Sequence, residues 1–136
     1  MDFISSSQEE TEKFAVEFLK ESPSVRLLGL SGDLGSGKTA FVKGLANFLG
    51  VERNITSPTF VIQKIYQGDD CKLVHIDAYR LSSLTDLEAI GFNEFVADQN
   101  NLVVVEWPEQ VFSQFPDNMK IIRFVYEDEN TRKISW

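Results

Sequence analysis

"VRLLGLSGDLGSGKTAFVKGLANFLG", residues 25–50, decides the architecture. Its opening, 25–31, is mostly apolar and β-favouring and predicts a buried strand. From Lys38 to Leu49 the apolar residues fall at helical spacing, and Gly50 is placed to end a helix. Between the two, Gly32-Asp33-Leu34-Gly35-Ser36-Gly37-Lys38-Thr39 satisfies G-x-x-x-x-G-K-[ST] at every fixed position. Strand before and helix after is the context that turns this pattern into a phosphate cradle. Its glycines let successive backbone N–H groups point inward, and the helix adds the positive end of its dipole. The Lys38 ammonium suits the β- and γ-phosphates, and the Thr39 hydroxyl is a hard ligand for Mg²⁺. The predicted nucleotide-binding stretch runs from Gly32 through Ala40.

A phosphate-bound Mg²⁺ needs a further acidic group, usually from the end of a neighbouring strand. Two carboxylates qualify: Asp77, ending "KLVHID" (72–77), and Glu106, which follows the run Leu102–Val105 in "LVVVEWPE" (102–109). An unpaired charge at the end of so apolar a strand would be costly, which raises the question of what Glu106 meets there. The pair suggests a division of labour. One carboxylate would hold the metal, directly or through water, while the other orients or deprotonates the attacking group. The residues alone leave open which does which.

Around Asp77, "HIDAYR" adds His75, Tyr79 and Arg80, a polar group suited to substrate or partner contacts. His75 shares a strand face with Asp77, and without a second His or thiolate it reads as a hydrogen-bonding imidazole. Thr59 in "SPTF" (57–60) occupies a loop where nucleotide switches place a phosphate-sensing threonine. Trp107 can wall the site or present an aromatic surface.

Outward from this centre, "DFIS" predicts a short strand and "SQEETEKFAVEFLKE" (7–21) a helix. Ser7 and Glu10 have capping-box spacing, and Thr11, Phe14, Ala15, Phe18 and Leu19 share one face. "TFVIQKIY" and "KLVHID", joined by "QGDD", predict a hairpin. Thr85 is placed to cap a helix that Gly91 divides from a second piece through Val96. "DQNN" is a loop, "PEQVFSQF" a short helix, and "MKIIRFVYED" with "RKISW" a terminal hairpin. These elements predict an α/β fold: a three-layer P-loop NTPase-like domain with a mixed sheet, parallel at its core with added antiparallel strands, spanning residues 1–136 as a single domain.

The formal net charge of −8, from 21 acidic and 13 basic residues, argues against autonomous tight binding to nucleic acid. No apolar run is long enough to span a membrane, and "MDFISSSQEE" lacks the marks of a secretory signal. Cys71, the lone cysteine, has no internal disulfide partner. A cytoplasmic protein is expected.

Neither an N-K-x-D base reader nor a D-x-x-G switch occurs, which favours ATP over GTP. Taken in order, "GDLGSGKT", "SPTF", "HIDAYRL" and "VEWPE" closely resemble the TsaE (YjeE) family of bacterial P-loop ATPases, and the likeness covers nearly the whole chain. The resemblance implies ATP hydrolysis in support of threonylcarbamoyl modification of adenosine 37, in tRNAs reading codons that begin with A. Its partners would be TsaD and TsaB, with tRNA reached through them. By the same resemblance Thr39 and Glu106 coordinate Mg²⁺, directly or through water. Lys38 grips the phosphates, Asp77 is the catalytic carboxylate, Thr59 is a switch residue, Trp107 belongs to the active-site surface, and Arg132 and Thr11 lie near the base. Two other readings fit the motifs: a small-molecule kinase acting through Asp77, and a nucleotide-dependent adaptor without catalysis.

Overall fold

The structure is a computed structural model that describes residues 1–56, 58 and 61–136. Among the described residues seven strands and four α-helices follow in the order β1 (Asp2–Ser5), α1 (Gln8–Glu21), β2 (Leu27–Ser31), α2 (Lys38–Leu49), β3 (Gln63–Gln67), β4 (Lys72–Asp77), α3 (Leu84–Ala89), α4 (Phe92–Ala97), β5 (Asn101–Glu106), β6 (Lys120–Tyr126) and β7 (Arg132–Ser135), with a 3₁₀ turn at Pro108–Gln110. They form one sheet in the order β1-β7-β6-β2-β5-β4-β3. The central strands β6, β2, β5 and β4 run parallel, while β3 at one edge and β7 and β1 at the other are antiparallel to their neighbours. The expected mixed α/β sheet is therefore present.

Alternation along the central strands builds two apolar layers. Leu102 and Val104 face one way, with Leu28, Leu30 and Phe124, onto Phe14, Phe18, Phe41 and Leu45 of α1 and α2. Val103 and Val105 face the other way, with Val74 and Ile76, onto Leu87, Phe92 and Phe112. Burial on both faces explains why these strands read as unbroken apolar runs. Each large side chain buried in this way contributes about 1.5–3 kcal/mol.

Helix α1 buries Thr11, Phe14, Ala15, Phe18 and Leu19, as its spacing predicts. The Glu10 N–H donates to Ser7 Oγ at 3.1 Å, and the Glu10 carboxylate accepts from the Ser6 N–H at 2.7 Å, one residue earlier than the usual box. Other boundaries differ from expectation. The strand expected over 25–31 begins at Leu27, because the Val25 N–H is drawn into a turn on Ser22 O. The strand expected from residue 59 begins at Gln63: the N–H groups of Val61 and Ile62 both donate to Pro58 O, and Thr59 and Phe60 lie outside the described residues. The cap of α3 is Ser83, not Thr85, since Ser83 Oγ accepts the Asp86 N–H at 3.3 Å. Asn101 belongs to β5 and not to the loop before it, and the segment after Trp107 makes only the 3₁₀ turn. Among the described residues no helix is long and apolar enough to cross a membrane.

Candidate nucleotide-binding site

The loop between β2 and α2 is shaped by crowding. A side chain at Gly32 would put its Cβ 2.6 Å from the Phe124 carbonyl, so only glycine fits. Gly37, at φ 107°, turns the chain into α2, and its carbonyl accepts the Phe41 N–H at 3.1 Å. The start of α2 contrasts with α1. It has no side-chain cap and no acidic residue in its first turn, so its N–H groups remain available to an anion.

Lys38 is nearly enclosed, at 5% exposure. Its ammonium donates to the Gly32 carbonyl and lies 4.1 Å from the centre of the Trp107 ring. Burial pushes the amine below its ordinary value of 10.5, and the carboxylates of Glu106 and Asp77 offset this only in part. The indole reaches Lys38 because Trp107 adopts φ 58° and ψ 49°, backbone that residues other than glycine seldom take. Pro108 disfavours right-handed helical backbone at the residue before it. The Tyr79 ring packs against Trp107 with centroids 5.1 Å apart.

Asp77 and Glu106 are register partners at the carboxyl ends of β4 and β5, and both are buried. Asp77 Oδ1 accepts the Tyr79 N–H at 3.0 Å. Glu106 Oε2 lies 2.7 Å from His75 Nε2. Both carboxylates open onto a cleft of about 640 Å³ that the P-loop also lines. A volume of that size suits a nucleotide.

Of the residues singled out in the sequence, Leu34, Gly35, Ser36, Gly37, Lys38, Thr39, Ala40, Thr11, Asp77, Glu106, Trp107 and Arg132 line this one cleft. Gly32 and Asp33 belong to the loop but not to the cleft wall, and neither do His75, Tyr79 and Arg80. Thr59 lies outside the described residues. Arg132 is held against the loop: its Nε donates to Gly35 O at 3.0 Å, and its guanidinium stacks on Tyr126. The Thr11 hydroxyl pairs with Ser5 Oγ at 2.7 Å. His75 has no exposed surface to offer a partner. The cleft wall also includes Ser7, Gln8, Lys43, Glu129 and Asn130, which sequence reasoning did not single out. Proximity in sequence to Thr11 and Arg132 was the available signal for four of them, and Lys43 lies on α2 one turn beyond Thr39.

The donor set fits magnesium. Thr39, Glu106 and Asp77 bring hard oxygens to a single cleft. Among the described residues there is no cluster of three or more His, Cys, Asp or Glu placed to hold a metal alone. Magnesium rarely uses such a cage and takes one or two protein oxygens together with substrate phosphates.

The family model for "Threonylcarbamoyl adenosine biosynthesis protein TsaE" matches residues 5–134. This chain belongs to the TsaE family. The tRNA threonylcarbamoyladenosine biosynthesis protein TsaE of Treponema pallidum is 39% identical over 137 residues, covering 99% of this chain and 98% of that one. The TsaE protein of Borreliella burgdorferi is 40% identical over 110 residues, covering 81% and 80%. The crystal structure of Bacillus subtilis YdiB superposes with a TM-score of 0.79 at 30% identity, covering 98% of this chain and 82% of that one. Family membership and the α/β sheet thus agree with what the motifs implied.

Proposed function

We propose that this TsaE-family chain binds ATP and Mg²⁺ in the cleft and hydrolyses the nucleotide to support threonylcarbamoyl modification of adenosine 37, in tRNAs reading codons that begin with A, together with TsaD and TsaB. The reading rests above all on one observation: two buried carboxylates, Asp77 and Glu106, stand side by side on adjacent strands and open onto the same cleft as Lys38 and Thr39. In this reading the N–H groups at the start of α2 bind the phosphates, and Lys38 trades its contact with the Gly32 carbonyl for their oxygens. Thr39 and Glu106 hold the metal, which when bound draws charge from the phosphate oxygens. Asp77 has one oxygen fixed by the Tyr79 N–H and uses the other to orient the attacking water and accept its proton. Arg132 and Thr11 sit toward the base, and Trp107 covers the lysine.

The same geometry supports a turnover that depends on partners. Arg132, the one arginine among the described residues that line the cleft, is committed to the carbonyls of Gly35, Asp128 and Thr131 and is not placed to act as a finger. One supplied in trans can raise rates by about 10³–10⁵-fold. The acidic surface leaves tRNA contact to the partners: between Leu81 and Met119 there are, besides the buried Glu106, Asp86, Glu88, Glu94, Asp98, Glu109 and Asp117 but no Lys, Arg or His. A cytoplasmic location accords with that role. The test is phosphate release from Mg·ATP with and without TsaD, TsaB and tRNA. Slow turnover alone and strong stimulation by the full set is the expected result. An absence of hydrolysis in every combination would overturn the proposal.

A further inference from the structure

His75 is fully buried and carries a polar ring at a position flanked by apolar side chains on three sides. Leu73 precedes it on β4, and Leu102 and Val104 stand beside it on β5, all inside the core. Its Nδ1 is buried without a hydrogen-bond partner among the described residues. An unmatched buried polar atom costs about 1–3 kcal/mol, a cost that an apolar side chain would not carry at this atom. What the imidazole gains in return is one contact, from Nε2 to Glu106 Oε2 at 2.7 Å. A carboxylate only accepts, so Nε2 carries the hydrogen.

The register shows what that contact accomplishes. His75 pairs with Val104, and Asp77 pairs with Glu106 one step further along the sheet. Glu106 therefore has a like charge at the paired position, and it has three side-chain torsions with which to swing away. The imidazole sits beneath it, outside the cleft wall, and fixes Oε2 from below. We propose that His75 is a positioning residue: it locks the Glu106 carboxylate in the rotamer that presents its other oxygen to the cleft, and so sets the affinity of the magnesium-dependent mode of nucleotide binding. The inference rests on the reading of Glu106 as a metal-holding group. Outer partners of metal-binding groups typically change metal affinity by about 10–100-fold when removed.

The test compares wild type with His75→Leu, which keeps bulk but removes the donor, and His75→Gln, whose amide nitrogen reaches the place of Nε2. Calorimetry with a non-hydrolysable ATP analogue gives the dissociation constant in EDTA and the magnesium concentration that half-restores tight binding. His75→Leu should leave the EDTA value unchanged and raise the magnesium requirement by about 10–100-fold, while His75→Gln restores most of it. A merely structural histidine would move the melting temperature and leave the magnesium requirement alone. Should His75→Leu fail to fold, His75→Asn serves in its place, since its shorter amide is polar but stops short of Glu106. A wild-type magnesium requirement in the donor-less variant, or a His75→Gln variant as impaired as His75→Leu, overturns the inference. A wild-type protein that gains nothing from magnesium overturns the metal reading of Glu106 and this inference with it.

Discussion

Replacing Glu106 by glutamine separates the charge at the cleft from everything else that residue does. The amide has the same shape, and its oxygen can still accept from His75 Nε2, which now lies 2.7 Å from Glu106 Oε2. The variant should therefore fold, and its unliganded melting temperature should be unchanged or higher, because a like charge opposite Asp77 has gone. The loss appears only with ligand. At a concentration of Mg·ATP about 100 times its dissociation constant, binding stabilises the folded wild type by about 2.7 kcal/mol. For 136 residues the unfolding entropy near the midpoint is about 0.29 kcal/mol/K, so the melting temperature rises by about 9 °C. If loss of the carboxylate weakens Mg·ATP binding by about 100-fold, the same ligand concentration stabilises by only about 0.4 kcal/mol, or between about 1 and 2 °C. The assay is thermal unfolding followed by circular dichroism, with ATP in the presence of magnesium or of EDTA. In EDTA, wild type and variant should shift alike. A full wild-type shift for Glu106→Gln in magnesium would refute the assignment of this carboxylate to the cation.

Asp77→Asn should keep Mg·ATP affinity near wild type while lowering hydrolysis by about 10²–10⁴-fold, measured as phosphate release; unchanged turnover would remove Asp77 from the chemistry. Ser36 is buried, with its hydroxyl unpaired among the described residues. Ser36→Ala should raise the urea midpoint by the equivalent of up to about 1 kcal/mol and leave nucleotide affinity intact. The Lys38 amine is held below its ordinary value by burial, and only its protonated form attracts phosphate. Nucleotide affinity should therefore fall as pH rises, starting below the pH at which an ordinary lysine of 10.5 would lose its proton. Over that window the unfolded chain binds more protons, so the free protein should grow more stable as pH rises. A Lys38→Met variant should lose the Lys38 contribution to each slope, in calorimetric and in melting measurements.

Much of this architecture was legible before any coordinates. The apolar runs, the buried face of α1 and the cradle at 32–39 are local patterns, and local patterns survive folding. Asp77 and Glu106 could be named because each directly follows an apolar strand. The cap of α3 was ambiguous for a physical reason: Ser83 with Asp86 and Thr85 with Glu88 have the same spacing. The choice falls to Ser82, whose N–H and hydroxyl both donate to Asp86. Glu129 and Asn130 reach the cleft because β6 lies beside β2, a tertiary pairing whose one local sign was their nearness in sequence to Arg132. The partner of His75 was hidden likewise. It is set by the register of β4 against β5 across 31 residues of chain.

The most direct measurement is a crystal structure of the protein with magnesium and a non-hydrolysable ATP analogue. The account predicts triphosphate oxygens against the amides of residues 32–39, and a single divalent ion that touches the Thr39 hydroxyl and meets Glu106 directly or through one water. A triphosphate seated away from that loop, or an ion out of reach of Glu106, would contradict it.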